Sequence, residues 1–165
     1  MKKIITLIAV FTACLANAQA FKGKGDIKFQ VGANIQQDAT GITSTADFGL
    51  GENMSFGFQV TYLLSANKYL DFSPEFGDRA DVRARFNANL GNVINVDDKF
   101  DVYPGLDLGL RNFGGHVGAR YFFTDGFGVF TEAAFPIAKY DTTDNELFDN
   151  YNNQFNVSIG MSFNL

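Results

Sequence analysis

The last eleven residues, Phe155 to Leu165, alternate between apolar and polar side chains without a break. The apolar positions are Phe155, Val157, Ile159, Met161, Phe163 and Leu165, and Asn, Ser or Gly stands between them. A period of two is typical of a strand with one apolar and one polar face. Eleven residues also suffice for a tilted strand to cross a bilayer. The pattern predicts a strand that either crosses a membrane or covers the core of a soluble β-protein.

Four residues of this strand form a spaced motif. Ser158, Gly160, Phe163 and Leu165 supply a polar, a glycine, an aromatic and a hydrophobic position. This spacing resembles the C-terminal signal by which the outer-membrane barrel-assembly machinery recognises its substrates. Leu165 departs from the usual terminal Phe or Trp. The resemblance implies that the assembly machinery is a partner during insertion.

Seven earlier stretches alternate in the same way, over residues 27–35, 43–50, 54–62, 80–90, 100–110, 116–123 and 127–135. Pro104 lies in the fifth of these and has no N–H to donate, so we expect a bulge or local break there. The longest links cover residues 63–77 and 136–153, on one side of the membrane, as in outer-membrane barrels. The predicted fold is all-β: a closed, antiparallel, up-and-down, eight-stranded transmembrane β-barrel.

The start of the chain has the features of a secretory signal peptide. Lys2 and Lys3 precede an apolar run over residues 4–15, and two small-residue cleavage sites follow. We predict a signal peptide over residues 1–18, with cleavage after residue 20 as the alternative, and a barrel over residues 19–165. Cys14 leaves open a lipoprotein alternative. If the signal is removed instead, the mature chain contains no cysteine.

Composition excludes some classes of function. The net charge of −5 argues against nucleic-acid binding, which needs basic patches. After the signal, no run approaches eighteen consecutive apolar residues, which excludes a typical transmembrane helix. A membrane barrel has this composition because a polar inner face dilutes its apolar residues.

The mature chain as a whole resembles small eight-stranded outer-membrane barrels of the OmpA-domain, OmpX and OmpW type. The Asn-Ala-Gln end of the signal resembles exported proteins of the Bacteroidota. The resemblance implies an outer-membrane location, contact with lipid and lipopolysaccharide, and a structural or interaction role, including within a larger outer-membrane complex. A narrow channel or carrier for small or apolar molecules, as in OmpW, is the alternative.

Charged residues recur on the polar faces of the predicted strands. The set is Lys28, Asp47, Asp81, Arg83, Arg85, Asp101, Asp107, Arg120 and Glu132. An eight-stranded barrel is only wide enough to be filled by side chains, so these charges should pair with one another. We predict a plugged lumen with a charge network. A gated ion path through Arg83 and Arg85 is the alternative.

Catalytic and metal sites have weak support. His116 is the single histidine, lacks an accompanying partner motif, and is expected near the outer end of the sixth strand. The acidic loop with Asp141, Asp144, Glu146 and Asp149 lacks the spacing of a calcium loop. We therefore predict no enzyme activity, no metal site and no cofactor.

The link over residues 63–77 is unusually apolar. Its interaction candidates are Tyr69, Leu70, Phe72 and Phe76. Such a loop could fold over the barrel mouth, or it could contact a partner or lipid.

Overall fold

The structure, a computed structural model, describes residues 19–68, 72–140 and 148–165. Its strands are β1 (Ile27–Gln36), β2 (Ala39–Gly49), β3 (Met54–Ala66), β4 (Ala80–Ala88), β5 (Phe100–Gly109), β6 (Asn112–Phe122), β7 (Phe127–Lys139) and β8 (Asn156–Asn164). Each strand pairs antiparallel with its chain neighbours, and β1 pairs with β8 to close the barrel. The predicted fold class is confirmed. The predicted signal peptide, residues 1–18, lies outside the described residues.

Two short helices lie in the links, α1 (Phe76–Arg79) before β4 and α2 (Gly91–Ile94) after it. Within the described ranges, no helix is both long and apolar enough to cross a membrane. We call the end of the barrel where β1 begins and β8 ends the termini end. The opposite end, which carries the 67–79 and 140–155 links, is the loop end.

Several strands are longer than the sequence pattern predicted. β2 begins at Ala39 rather than Thr43, and β7 continues past Phe135 to Lys139. β6 begins at Asn112, where a link was expected. Gly, Thr and Pro interrupt the apolar alternation in these segments, but hydrogen bonds to an already formed neighbouring strand extend the ladder through them.

The barrel has two register shifts away from Pro104 and one interrupted ladder beside it, where a bulge or local break was expected. The β6–β7 register shifts between Phe113 and Gly114, opposite Pro136, and the β2–β3 register shifts between Thr40 and Gly41. Pro104 is paired with β6 without a shift, so of the two expected irregularities it makes no bulge on that side. The β4–β5 ladder, however, covers only residues 83–87 against 105–109 and stops beside Pro104, which lacks the N–H to continue it.

The distribution of side chains is inverted relative to a soluble protein. On β4, Asp81, Arg83 and Arg85 point inward and are buried, whereas Phe86 is 41% exposed. The same alternation holds on the other strands, so buried side chains are mostly polar and exposed ones mostly apolar. The apolar face of the strands therefore lies on the outside of the barrel.

Glycines permit the β1–β8 closure. Gly32 and Gly160 are directly opposite each other across this seam. A Cβ at Gly160 would lie 2.2 Å from the Val31 carbonyl oxygen and 2.4 Å from the Cα of Gly32. The two backbones approach too closely for any larger residue, which gives Gly160 a packing role in barrel closure.

Candidate functional site: the polar lumen

All nine charged residues singled out from the sequence are buried inside the barrel. Four cations, Lys28, Arg83, Arg85 and Arg120, each lie within ion-pair distance of a carboxylate. The contacts fall into a central cluster around Arg85, a loop-end cluster around Arg83 and a termini-end cluster around Arg120. Buried charges are tolerated in a protein interior only when they are paired in this way.

The central cluster joins three strands that are not sequence neighbours. The Arg85 guanidinium donates to both Glu132 carboxylate oxygens, at 2.6 and 3.4 Å. Its Nε lies 3.3 Å from Asp47 Oδ1. The contact with Glu132 is a charge-assisted, two-oxygen hydrogen bond, and the contact with Asp47 is an ion pair by distance. Arg85 therefore ties β4 to β2 and β7 through the lumen.

Small residues make room for these side chains. Gly57 lies between Asp47 and Arg85 in the sheet register, and a Cβ there would lie 2.2 Å from Asp47 Oδ1. Gly118 faces the Tyr103 ring, and a Cβ there would lie 2.2 Å from Tyr103 Cζ. Tyr103 is fully buried, and the Arg120 guanidinium carbon lies 4.8 Å from its ring centroid. The Tyr103 ring therefore fills the middle of the lumen and makes a cation–π contact with Arg120.

His116 belongs to the central cluster. Its Nδ1 lies 2.9 Å from Asp107 Oδ1, and its Nε2 lies 2.8 Å from Asn87 Oδ1 and 3.0 Å from an Arg85 amino nitrogen. The expectation that it lies near the strand's outer end is wrong, because β6 begins four residues earlier, at Asn112. The His116 side chain is buried, and its contacts with Asp107, Asn87 and Arg85 make it part of the ion-pair network.

The loop-end cluster contains a residue from outside the strands. Arg83 donates from Nε to Asp81 at 2.5 Å and from an amino nitrogen to the Asn152 carbonyl oxygen at 2.5 Å. Asn112 also donates to that carbonyl, at 3.1 Å. The segment before β8 is thereby held across the loop end of the lumen.

The termini-end cluster is closed by residues that precede β1. Arg120 donates to Asp101 at 2.7 Å and to Asn89 at 2.8 Å. Lys28 pairs with Asp26, although Asp47 is its direct neighbour in register. The buried Phe21 ring lies 5.9 Å from both the Lys28 and the Arg120 cation.

Phe21, Asp26 and Asn152 also line the lumen clusters, and the sequence pattern does not predict this. None of them lies in an alternating stretch, so periodicity carries no signal for them. Asp26 adds a sixth carboxylate to the five predicted on the strands. Phe122 and Phe130 share the inward face of β6 and β7 with Arg120 and Glu132 and are buried, and Phe122 packs against Ala20.

The four residues of the C-terminal motif divide between the two faces of β8. Ser158 points into the lumen and accepts a hydrogen bond from Asn34 at 3.1 Å. The Phe163 ring packs on the outside between Phe29 and Phe127, at centroid distances of 6.4 and 5.7 Å. Leu165 is exposed. Gly160 lies at the closure seam described above.

The loop candidates are only partly described. Tyr69 and Leu70 lie outside the described residues, as do Asp141, Asp144 and Glu146 of the acidic loop. Phe72 and Phe76 are exposed. The Phe76 ring packs 5.3 Å from that of Tyr62, whose side chain is on the outer face of β3. In the part of the chain that the structure describes, no three metal-ligating side chains cluster.

The outer surface carries a continuous apolar band. On β7 its exposed side chains extend from Phe127 to Ile137. That length of strand rises roughly 33 Å, and a tilt of about 40° reduces the height to roughly 25 Å. Near the termini end, the rings of Phe29, Phe163, Phe127, Phe123 and Tyr121 contact one another in series. Such a ring of aromatics is typical of a membrane interface.

The chain matches a family of unknown function, DUF6646, over residues 11–165. It belongs to this family. No curated protein matches the chain. The fold of this DUF6646 member is similar to that of a solved structure described as "De novo design of transmembrane beta-barrels", with a TM-score of 0.59. The two share 9% identity, and the alignment covers 87% of this chain and 98% of the designed one. At this identity the similarity shows a shared fold.

Proposed function

We propose that this DUF6646 protein is an outer-membrane β-barrel with a closed, charge-paired lumen, and that it acts as a structural or interaction protein through its loops. The observation that carries the proposal is the inverted surface: the exposed side chains of the strands are apolar over a band of membrane thickness. In water, a patch of this size would drive aggregation. In a membrane, the same apolar surface contacts lipid and is removed from water.

The location of the apolar band can be tested with single cysteines at Val82, Ala84 or Phe86, with Cys14 replaced. All three side chains lie on the outside of β4, between the inward Arg83 and Arg85. We expect a lipid-soluble maleimide to modify at least one of them in membranes, and an impermeant maleimide to modify none. Asn150→Cys, at the exposed loop end, is the control that the impermeant reagent should label. Labelling of position 86 by the impermeant reagent in intact membranes would refute a lipid-facing band.

The closed lumen is supported by the size of the side chains inside it. Arg85, Arg120, Tyr103, Phe21 and Lys28 are among the largest fully buried side chains. They come from the middle and the termini end of the barrel, and an eight-stranded interior leaves little space around them. The unassisted passage of hydrated ions is therefore disfavoured.

For this reason we expect the purified protein to give no stable open channel in planar bilayers. Tyr103→Ala with Arg120→Ala removes one large side chain from the middle of the lumen and one from its termini end. Of the lumen variants, this is the one in which we expect an ion current to appear. A steady current through the wild-type protein that Arg83→Ala alters would instead favour the narrow channel or carrier.

The remaining parts of the proposal concern partners. The assembly machinery would recognise β8 through its terminal motif, and outer-membrane lipid and lipopolysaccharide would surround the band. In this orientation the loop end faces the cell exterior, where the 67–79 and 140–155 links are available to a larger complex. The Asn-Ala-Gln end of the signal supports an origin in the Bacteroidota. We assign no enzyme activity and no cofactor.

The fold also favours one of the two signal cleavage sites. Ala20 and Phe21 are buried, and the Ala20 N–H donates to the Asp98 carbonyl at 2.7 Å. Cleavage after residue 20 would remove Ala20 and its hydrogen bond to Asp98, and would place a new ammonium on the buried Phe21. Cleavage after Ala18 leaves both contacts intact, because Gln19 is exposed.

A further inference from the structure

The loop end carries a cavity that is separate from the ion-pair clusters of the lumen. Its volume is about 590 Å³, within the range of small-ligand sites. Four side-chain amides line it, those of Gln37, Asn67, Asn150 and Gln154. They come from the β1–β2 turn, the end of β3 and the segment before β8.

Hydrogen bonds hold the wall formed by Asn67 in place. Asn67 donates from its backbone N–H to the Asp38 carbonyl at 3.0 Å, and from its side chain to the Asp38 carboxylate at 3.1 Å. Its own carbonyl accepts from the Tyr151 hydroxyl at 2.7 Å. Burial and the nearby Asp38 carboxylate raise the pKa of Tyr151.

The opposite wall is fixed as well. Gln154 donates to the Gln37 carbonyl at 2.8 Å. The rings of Phe148 and Tyr151 stack at 5.8 Å with an interplanar angle of 13°, and pack against Ala39 and Leu63. The cavity therefore has a preformed frame, which lowers the entropic cost of binding a ligand.

The lining side chains that make no hydrogen bond within the protein indicate what kind of ligand the cavity suits. Among the described residues, the side chains of Gln37, Asn150 and Lys68 make no hydrogen bond. A side-chain amide can donate and accept hydrogen bonds. Hydroxyl and acetamido groups of a ligand can do the same, so they match this lining. The charged lining side chains are Asp38 and Lys68, which balance each other and give no preference to a polyanion.

We propose that this cavity binds an uncharged saccharide, with the amides of Gln37 and Asn150 as its hydrogen-bonding groups and the mostly buried rings of Phe148 and Tyr151 as the apolar part of its lining. The cell-surface position of the site rests on the proposed function, whereas the binding chemistry does not. The saccharide could be a free oligosaccharide or the glycan of lipopolysaccharide, since both present the same hydroxyl groups.

The test uses full-length mature protein refolded in amine-oxide micelles, because glucoside and maltoside detergents would occupy the site. The probes are maltotriose and triacetylchitotriose by saturation-transfer NMR, followed by a glycan array. We expect binding that the Gln37→Ala, Asn150→Ala double variant weakens about tenfold or more, from the loss of two hydrogen bonds. Gln19→Ala, an exposed amide at the termini end, should bind as wild type does.

The two sources of glycan are separated by comparing vesicles with and without lipopolysaccharide. Binding to free oligosaccharides supports a soluble ligand, and binding confined to lipopolysaccharide vesicles supports the envelope glycan. If no glycan binds in either format, or if the double variant binds as tightly as wild type, the saccharide site is refuted. Because the micelle experiment needs no membrane orientation, this failure would leave the proposed outer-membrane location untouched.

Discussion

Replacing Phe163 and Leu165 with serine should abolish insertion of the barrel while export across the inner membrane continues. Phe163 is on the outside of β8 and contacts Phe29 and Phe127 on the two neighbouring strands, and Leu165 follows the strand directly and is exposed. The double change removes the aromatic and hydrophobic positions of the proposed assembly signal and two apolar side chains from the outer surface. The measurement is heat-modifiable mobility of the protein in isolated outer membranes, where we expect almost no folded form.

A matched variant separates the signal from the apolar surface. Val157→Ser with Ile159→Ser removes two side chains from the same face of the same strand but leaves all four motif positions intact. We expect this variant to insert, with reduced stability. Equal loss of insertion in both variants would show that hydrophobicity alone matters. A normal folded band from the Phe163, Leu165 variant would contradict the assembly role of the motif.

Arg85→Ala should destabilise the folded barrel by roughly 3–5 kcal/mol, the usual cost of removing one partner from a buried ion pair. The variant leaves the carboxylates of Asp47 and Glu132 in the lumen without their shared cation. It also removes a donor near His116 and empties space at the centre of the lumen. Urea-dependent unfolding of the protein in lipid vesicles measures the change.

Two further variants show whether the loss comes from charge. Adding Glu132→Gln to Arg85→Ala should recover part of the stability, because one unpaired carboxylate is neutralised. Lys24→Ala, an exposed cation at the termini end, should leave the unfolding free energy unchanged. If Arg85→Ala unfolds at the wild-type urea concentration, the central cluster contributes little and the lumen is hydrated enough to solvate its charges.

Alternation in the sequence was sufficient to predict the eight strands and the face to which most of their side chains belong. A strand has a period of two wherever it lies, so Arg83 and Arg85 share a face in any sheet. The cost of placing an arginine in lipid then assigns that face to the lumen. These steps depend on local geometry and need no knowledge of the neighbouring strands.

Pairing inside the lumen needed the tertiary structure, because partners depend on strand register and barrel tilt. Arg85 meets Glu132, 47 residues away, across the lumen. Lys28 is opposite Asp47 in register but pairs with Asp26. A list of charges contains no information about which of several carboxylates each cation reaches.

The sequence by itself thus determined the barrel, its strand number, its inner and outer faces and the residues that carry its lumen charge, because all of these follow from local periodicity and the energetic cost of charge in lipid. Only the tertiary structure decided the partner of each charge, the entry of Phe21 and Asp26 at the termini end, and the frame of the loop-end cavity. The latter features are built from segments outside the strands, whose positions are set by contacts between residues far apart in the chain.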